Sequence, residues 1–234
     1  MGNEKGRAFE GMNIWVKSLL DLVFPQEALP GDLPRTGEHF CQRCGESYEG
    51  DIEGMFRCSN CAGRTWYISR ARAAYRAEKK VREILHEFKY QRQFHHLPCL
   101  AGWLQEGFER FYQQEPEDRW DGLVPVPLYP VRRRERGFNQ AEELARMLGK
   151  STGLPVLDVL TRIKKTETQA RLRRSERLRN QLNAFDLKSG FDLRGKRLLI
   201  IDDVFTTGAT INACARILKK AGAGDLAALT VARG

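Results

Sequence analysis

The stretch LLIIDDVFTTGAT, Leu198 to Thr210, constrains the fold more than any other part of the chain. Four apolar residues suited to a buried strand run directly into two carboxylates, Asp202 and Asp203. A short loop of hydroxyls and glycine follows. Ile211, Cys214, Ala215, Leu218 and Ala221 then recur at helical spacing, with Gly222 as a C-terminal stop. Ligands of open α/β sheets bind beyond the carboxyl ends of the strands, which is where this loop falls. The N–H groups of Thr206 to Thr210 then face open space at the positive end of a helix, an anion site. Thr206, Thr207 and Thr210 add hydroxyl donors, and Gly208 allows close backbone approach. Two carboxylates would repel a bare phosphate, but they accept hydrogen bonds from ligand hydroxyls. A sugar phosphate satisfies both halves of the loop.

Competing loops are weaker. The chain has no G-x-x-x-x-G-K-[ST] and no G-x-G-x-x-G. A phospho-receiver domain carries its acid pair near its start, whereas only 31 residues follow Asp203. An acid pair that merely caps a helix is the plain alternative.

A second signal lies upstream. Cys41, Cys44, Cys58 and Cys61 form C-x2-C-x13-C-x2-C, the spacing of a four-thiolate zinc site. Gly45 and Gly63 follow the two pairs, where the chain must turn tightly. Four thiolates leave no open coordination position, so the zinc is structural. His39 reads as a surface residue, and Cys99 and Cys214 as reduced core residues.

Elsewhere, Ile68 to Gln114 reads as helical, with stripes at Ile84, Leu85 and Phe88 and at Leu100, Leu104, Phe108 and Phe111. The pair His95-His96 reads as a solvated turn. GLVPVPLYP, Gly122 to Pro130, is a short strand that ends in a proline-stiffened loop. Asn139 is placed to cap a helix, with Glu142 three residues on and Ala141, Leu144, Ala145 and Leu148 as its apolar face. LPVLDVLTRI reads as a strand region, AFDL as a short extended piece, and DLAALTVARG as a last strand. These elements predict an α/β fold with a parallel sheet flanked by helices.

The net charge of +9 is concentrated. Val131 to Arg136 holds four basic residues and one acid, and Thr161 to Asn180 holds eight and two, so the segments carry 3 + 6 = +9. Phosphate-bearing ligands or nucleic acid are the partner class this implies, against the alternative of two solvated helix faces. Arg173, Arg174, Arg177 and Arg179 suit contact with a nucleic-acid backbone. No apolar run approaches the ~18 residues of a membrane span. Ile14 to Phe24 is amphipathic, interrupted by Lys17 and Asp21, and lacks a cleavage site, so it does not read as a signal peptide. Residues 1–11 have little pattern and read as a disordered extension or as foreign to the native chain. A cytoplasmic location is expected.

LLIIDDVFTTGAT resembles the signature with which type I phosphoribosyltransferases bind phosphoribosyl pyrophosphate (PRPP). In order along the chain, CQRCG, CSNC, EFKY, VPVPLYPVRRRERGFNQAEELA and DDVFTTGAT resemble the ComF/ComFC competence family, from about Met12 to Gly234. The resemblance implies a type I phosphoribosyltransferase-like sheet at 68–234, a four-cysteine zinc ribbon at 37–67, and an N-terminal extension with an amphipathic helix at 1–36. It implies that Asp202 and Asp203 bind the ribose hydroxyls of PRPP as the catalytic acids. It implies that Thr206, Thr207, Gly208, Ala209 and Thr210 receive the 5′-phosphate, and that Val204 belongs to the same PRPP-binding stretch. Pyrophosphate lies near Pro125 to Arg133, with Arg133 as a contact, and Mg²⁺ bridges ribose and pyrophosphate oxygens. It further implies a role in natural transformation, handling single-stranded DNA beside a helicase-like ATPase. Phosphoribosyl transfer is the activity to test, although no residue identifies an acceptor base. The alternative is a zinc-ribbon module or helicase adaptor that binds single-stranded DNA without turnover. Lys89 in EFKY is open between a buried salt bridge and a pyrophosphate contact.

Overall fold

A computed structural model describes residues 33–37, 39–48, 50, 56–90, 93–113, 119–164 and 184–234. The amphipathic segment 14–24 and the four arginines at 173, 174, 177 and 179 lie outside them. The elements run β1 (Arg70–Arg76), α1 (Lys79–Tyr90), a 3-10 turn (Phe94–His96), α2 (Leu97–Tyr112), β2 (Gly122–Pro125), α3 (Pro130–Arg136), α4 (Gln140–Thr152), β3 (Leu160–Arg162), β4 (Phe185–Leu187), β5 (Leu198–Phe205), α5 (Ala209–Lys220) and β6 (Leu226–Arg233).

Four strands form a parallel sheet in the order β1-β6-β5-β2. β5 and β6 are its middle strands, and β6 is buried at every position. Strands covered on both faces read as near-continuous apolar runs, as LLII and LAALTVA do. Alternation splits β5 between two cores. Leu198 and Ile200 pack with α5, β3 and β4 through Cys214, Leu218, Leu160 and Phe185. Leu199 and Ile201 pack with α1, α2 and α4 through Phe88, Leu104 and Leu144. The expected parallel α/β architecture is therefore present.

Two local expectations need correction. The segment from Ile68 is not helical throughout, because RARAAYR forms β1, paired with β6 from Arg70↔Ala227 to Arg76↔Arg233. Alanine and arginine favour helix intrinsically, but the β6 ladder satisfies this backbone, and the small side chains admit α2. A Cβ on Gly107 of α2 would lie 3.3 Å from the Ala74 Cβ. LPVLDVLTRI is likewise not one strand. Val156 makes a lone parallel bridge to Leu123, and Leu160–Arg162 turns away to pair antiparallel with β4. Asp158 holds that departure through Lys188, at 2.6 Å across the hairpin.

The Asn139 cap is as expected. Its side chain accepts from the Ala141 N–H at 3.2 Å and donates to the Val126 carbonyl at 3.0 Å, tying α4 to the loop after β2. The expected turn at His95-His96 is a 3-10 turn in which His96 contacts Glu87 at 2.7 Å.

Tyr112, fully buried, donates its hydroxyl to the Ala228 carbonyl of β6 at 2.7 Å. Tyr112→Phe should lower the unfolding free energy by about 1 kcal/mol in a urea titration, the usual net value of such a bond. An unchanged midpoint would show that this anchor of α2 to the sheet contributes nothing.

Candidate functional site

Because successive strand residues point to opposite faces, Asp202 and Asp203 enter different environments. Asp203 is 8% exposed and pairs with Lys89 from the last turn of α1, Nζ to Oδ2 2.9 Å. Burial opposes the Lys89 charge, but Asp203 and Asp202 outweigh it and hold the ammonium above its ordinary value. Asp202 lies on the α5 side, where its field reaches Cys214 and Arg162. Burial, with Asp203 beside it, pushes the Asp202 carboxyl up from 3.8 to about 7. Its Oδ1 accepts the Asp203 N–H at 2.9 Å. Of the two readings of Lys89, the structure shows the salt bridge, made to Asp203.

Beyond the acids, Thr206 and Thr207 are exposed, and Gly208 caps α5 at φ +70°. Thr207 Oγ1 accepts from the Ala209 N–H at 3.4 Å. Val204, Ala209 and Thr210 are half-buried. Gly208 has a reason not legible in the sequence. A Cβ there would lie 2.3 Å from the Phe205 ring and 2.7 Å from the Trp66 ring, so its bare side faces protein.

A cleft of about 470 Å³ opens beside this strand end, between the loop after β2 and the β3–β4 hairpin. Arg133, Arg134, Arg162 and Lys188 bring positive charge to it, against Glu142 and Asp158. Arg133 does line the cleft, with its side chain 56% exposed and held 3.1 Å from Glu142. The acid pair and the threonine loop do not line it. Arg162 connects the two regions, since it lines the cleft and acts electrostatically on Asp202. Burial pulls its guanidinium below the ordinary value, with Cys214 and Asp202 opposing.

The four cysteines come together. Cys41, Cys44, Cys58 and Cys61 are buried and their sulfur atoms lie within 4.8 Å of one another. Gly45 and Gly63 adopt φ +68°, as the tight turns after each pair require. The Cys58 N–H donates to Cys41 Sγ at 3.4 Å, the backbone support that metal-bound thiolates use. Four buried sulfurs, with no oxygen ligand among the described residues of the cluster, fit a metal such as zinc, as in a zinc ribbon.

Arg162 was hidden in the sequence inside a general run of basic residues, and its importance comes from the hairpin that aims it at Asp202. Trp66 and Arg64, which touch the threonine loop, carry no spacing signal at all. The arginines at 173, 174, 177 and 179 lie outside the described residues.

Two outcomes follow from this geometry. The folded-state value of Asp202 lies above its unfolded one, so the folded chain holds the proton longer and stability falls as pH rises from 3.8 through about 7. Asp202→Asn, which keeps the acceptor for the Asp203 N–H, should raise the thermal midpoint at pH 8 by roughly 3 °C. That gain should disappear near pH 4, and a gain independent of pH would refute the assignment. For the cysteines, elemental analysis should find one zinc per chain, and Cys44→Ser should release it to a chelator that wild type resists.

Residues 134–234 match the phosphoribosyl transferase domain family. The chain is 30% identical over 203 residues to competence protein ComFC of Streptococcus pneumoniae, covering 85% of this chain and 83% of the relative. It is 29% identical over 198 residues to competence protein F of Haemophilus influenzae, covering 83% and 84%. Among solved structures, the glutamine PRPP amidotransferase of Bacillus subtilis aligns with 62% of this chain and 30% of its own at 18% identity and a TM-score of 0.39. Among the described residues no helix is long and apolar enough to cross a membrane. With that identity sustained over most of both chains, a four-cysteine cluster and a phosphoribosyl transferase domain, the chain belongs to the ComF/ComFC family of competence proteins.

Proposed function

We propose that the chain binds PRPP at the C-terminal end of β5 and acts in natural competence, handling incoming single-stranded DNA. The observation that carries the PRPP reading is the adjacency of two unlike groups. Two carboxylates with their own cation, Lys89, lie near the C-terminal end of a central parallel strand, and a hydroxyl-bearing loop that opens a helix begins three residues after them. Asp202 and Asp203 accept from the ribose hydroxyls. N–H and hydroxyl groups of Thr206, Thr207, Gly208, Ala209 and Thr210 receive the 5′-phosphate at the positive end of α5, with Val204 just before them in the PRPP-binding stretch. The pyrophosphate extends toward the cleft that Arg133 lines, where guanidinium forks suit its charge.

Mg²⁺ fits this donor set through ligand oxygens, water and the acid pair, and when bound it neutralises charge on the pyrophosphate. The protein groups orient the ribose and balance charge around its leaving group, which suits glycosyl transfer. The competence role rests on the relatives named above, which are themselves called competence proteins. Single-stranded DNA and a helicase-like ATPase are the partners this role requires.

Calorimetric titration of PRPP with Mg²⁺ should give binding to wild type and none to Asp202→Ala/Asp203→Ala of equal zinc content. Absence of binding to folded wild type would end the PRPP reading. In a transformable host, deletion should abolish transformants and the double variant should fail to restore them; unaltered transformation would remove the competence role.

A further inference from the structure

We propose that the four-cysteine ribbon is a working part of the phosphate site, with Arg64 and Trp66 as positioning residues for the Thr206–Gly208 loop. This rests on the PRPP reading above. The ribbon's last cysteine, Cys61, is three residues before Arg64, so a metal held at the cluster fixes the arm that carries both side chains.

The contacts converge on the loop itself rather than on the sheet in general. Arg64 donates from Nη1 to the Thr207 carbonyl at 2.9 Å and lies over the Trp66 ring at 4.7 Å. Trp66 stacks on Phe205, ring centroids 6.3 Å apart and planes within 22°. Its outer edge occupies the space that a side chain at Gly208 would need. Asn212, in the first turns of α5 and 6% exposed, donates to the Thr65 carbonyl at 2.9 Å and accepts the Tyr67 N–H at 2.8 Å. The arm is therefore bonded to the loop on one side of Gly208 and to the helix on the other. A second tie runs from Glu46 in the ribbon to Arg233 at the end of β6, and Arg233 donates to the Phe205 carbonyl at 3.0 Å.

The loop's N–H groups bind an anion well only if they are already aimed, because ordering them on binding costs affinity. Thr206 and Thr207 are exposed, and the loop's inner side is covered by Trp66 and Phe205. The ribbon thus does for this loop what a packed side chain does elsewhere: it removes alternative conformations from behind while leaving the ligand side open. A ribbon serving only for partner binding would have no reason to place a hydrogen bond on the Thr207 carbonyl.

The test is calorimetry on full-length, zinc-loaded protein with three probes: PRPP with Mg²⁺, ribose 5-phosphate, and pyrophosphate with Mg²⁺. Trp66→Leu should weaken PRPP and ribose 5-phosphate by the same factor, roughly tenfold, while pyrophosphate is unaffected. Arg64→Ala, on a half-exposed side chain, should weaken the same two by roughly threefold and decides the matter if Trp66→Leu does not fold. Removing zinc from wild type should reproduce the Trp66→Leu pattern. Affinities all unchanged in folded variants would overturn the inference and leave the PRPP reading standing. Three affinities falling together would also overturn it, since a general loss of packing does not distinguish the two ends of the ligand. Wild type that binds neither PRPP nor ribose 5-phosphate would overturn the PRPP reading and this inference with it.

Discussion

Adjacent carboxylates at the buried end of a central strand must be compensated from the elements around them, and much of this fold is arranged to do so. Strand alternation points the two acids to opposite faces, although the Lys89 charge acts on both. Asp203 draws Lys89 from α1, which lies against the face built by α2 and α4. Asp202 sits in the field of Arg162 from the hairpin on the other face, its carboxyl raised by burial and by Asp203. Asp203 thereby ties α1 to β5. The cost of burying charge is offset only if those elements are held in place, which the two hydrophobic cores accomplish.

The same strand end has a second requirement. A helix N-terminus that receives a phosphate needs a loop of defined shape, yet this loop faces outward and has little core of its own. Arg64 and Trp66, on the arm that leaves the four-cysteine cluster, pack against this loop. A four-thiolate ribbon builds rigidity from few residues, so it can reach the loop from upstream in the chain without adding a further strand or helix. Phe205 is the hinge of this arrangement, touching Trp66, Gly208 and Arg233 at once.

Much of the architecture was legible in the sequence because its strongest elements are local. The apolar run ending at Asp202, the helical stripe of α5, the Asn139 cap and the spacing of the four cysteines are each written within a few residues. β1 was not legible: RARAAYR has the composition of a helix and becomes a strand only because the edge of β6 is open to it. The β3–β4 hairpin was blurred for a related reason, since Val156 and Leu160 serve different sheets four residues apart. At the site, residue types at fixed spacing pointed to the acids, the threonines and the cysteines. Lys89, Arg162, Arg64 and Trp66 act across long sequence separations, and nothing in their immediate neighbours marks what they touch. The sequence reads Gly208 as room for a ligand, whereas its bare side admits a tryptophan from the ribbon.

The most direct test of the account is a crystal structure of the zinc-loaded chain with PRPP and Mg²⁺. The account predicts the 5′-phosphate on the N–H groups of Thr206 to Thr210 and the ribose hydroxyls on Asp202 and Asp203. It also predicts the pyrophosphate directed toward Arg133, and Trp66 still seated against Gly208. A ligand bound away from β5, or a threonine loop that turns its carbonyls to the phosphate, would contradict it.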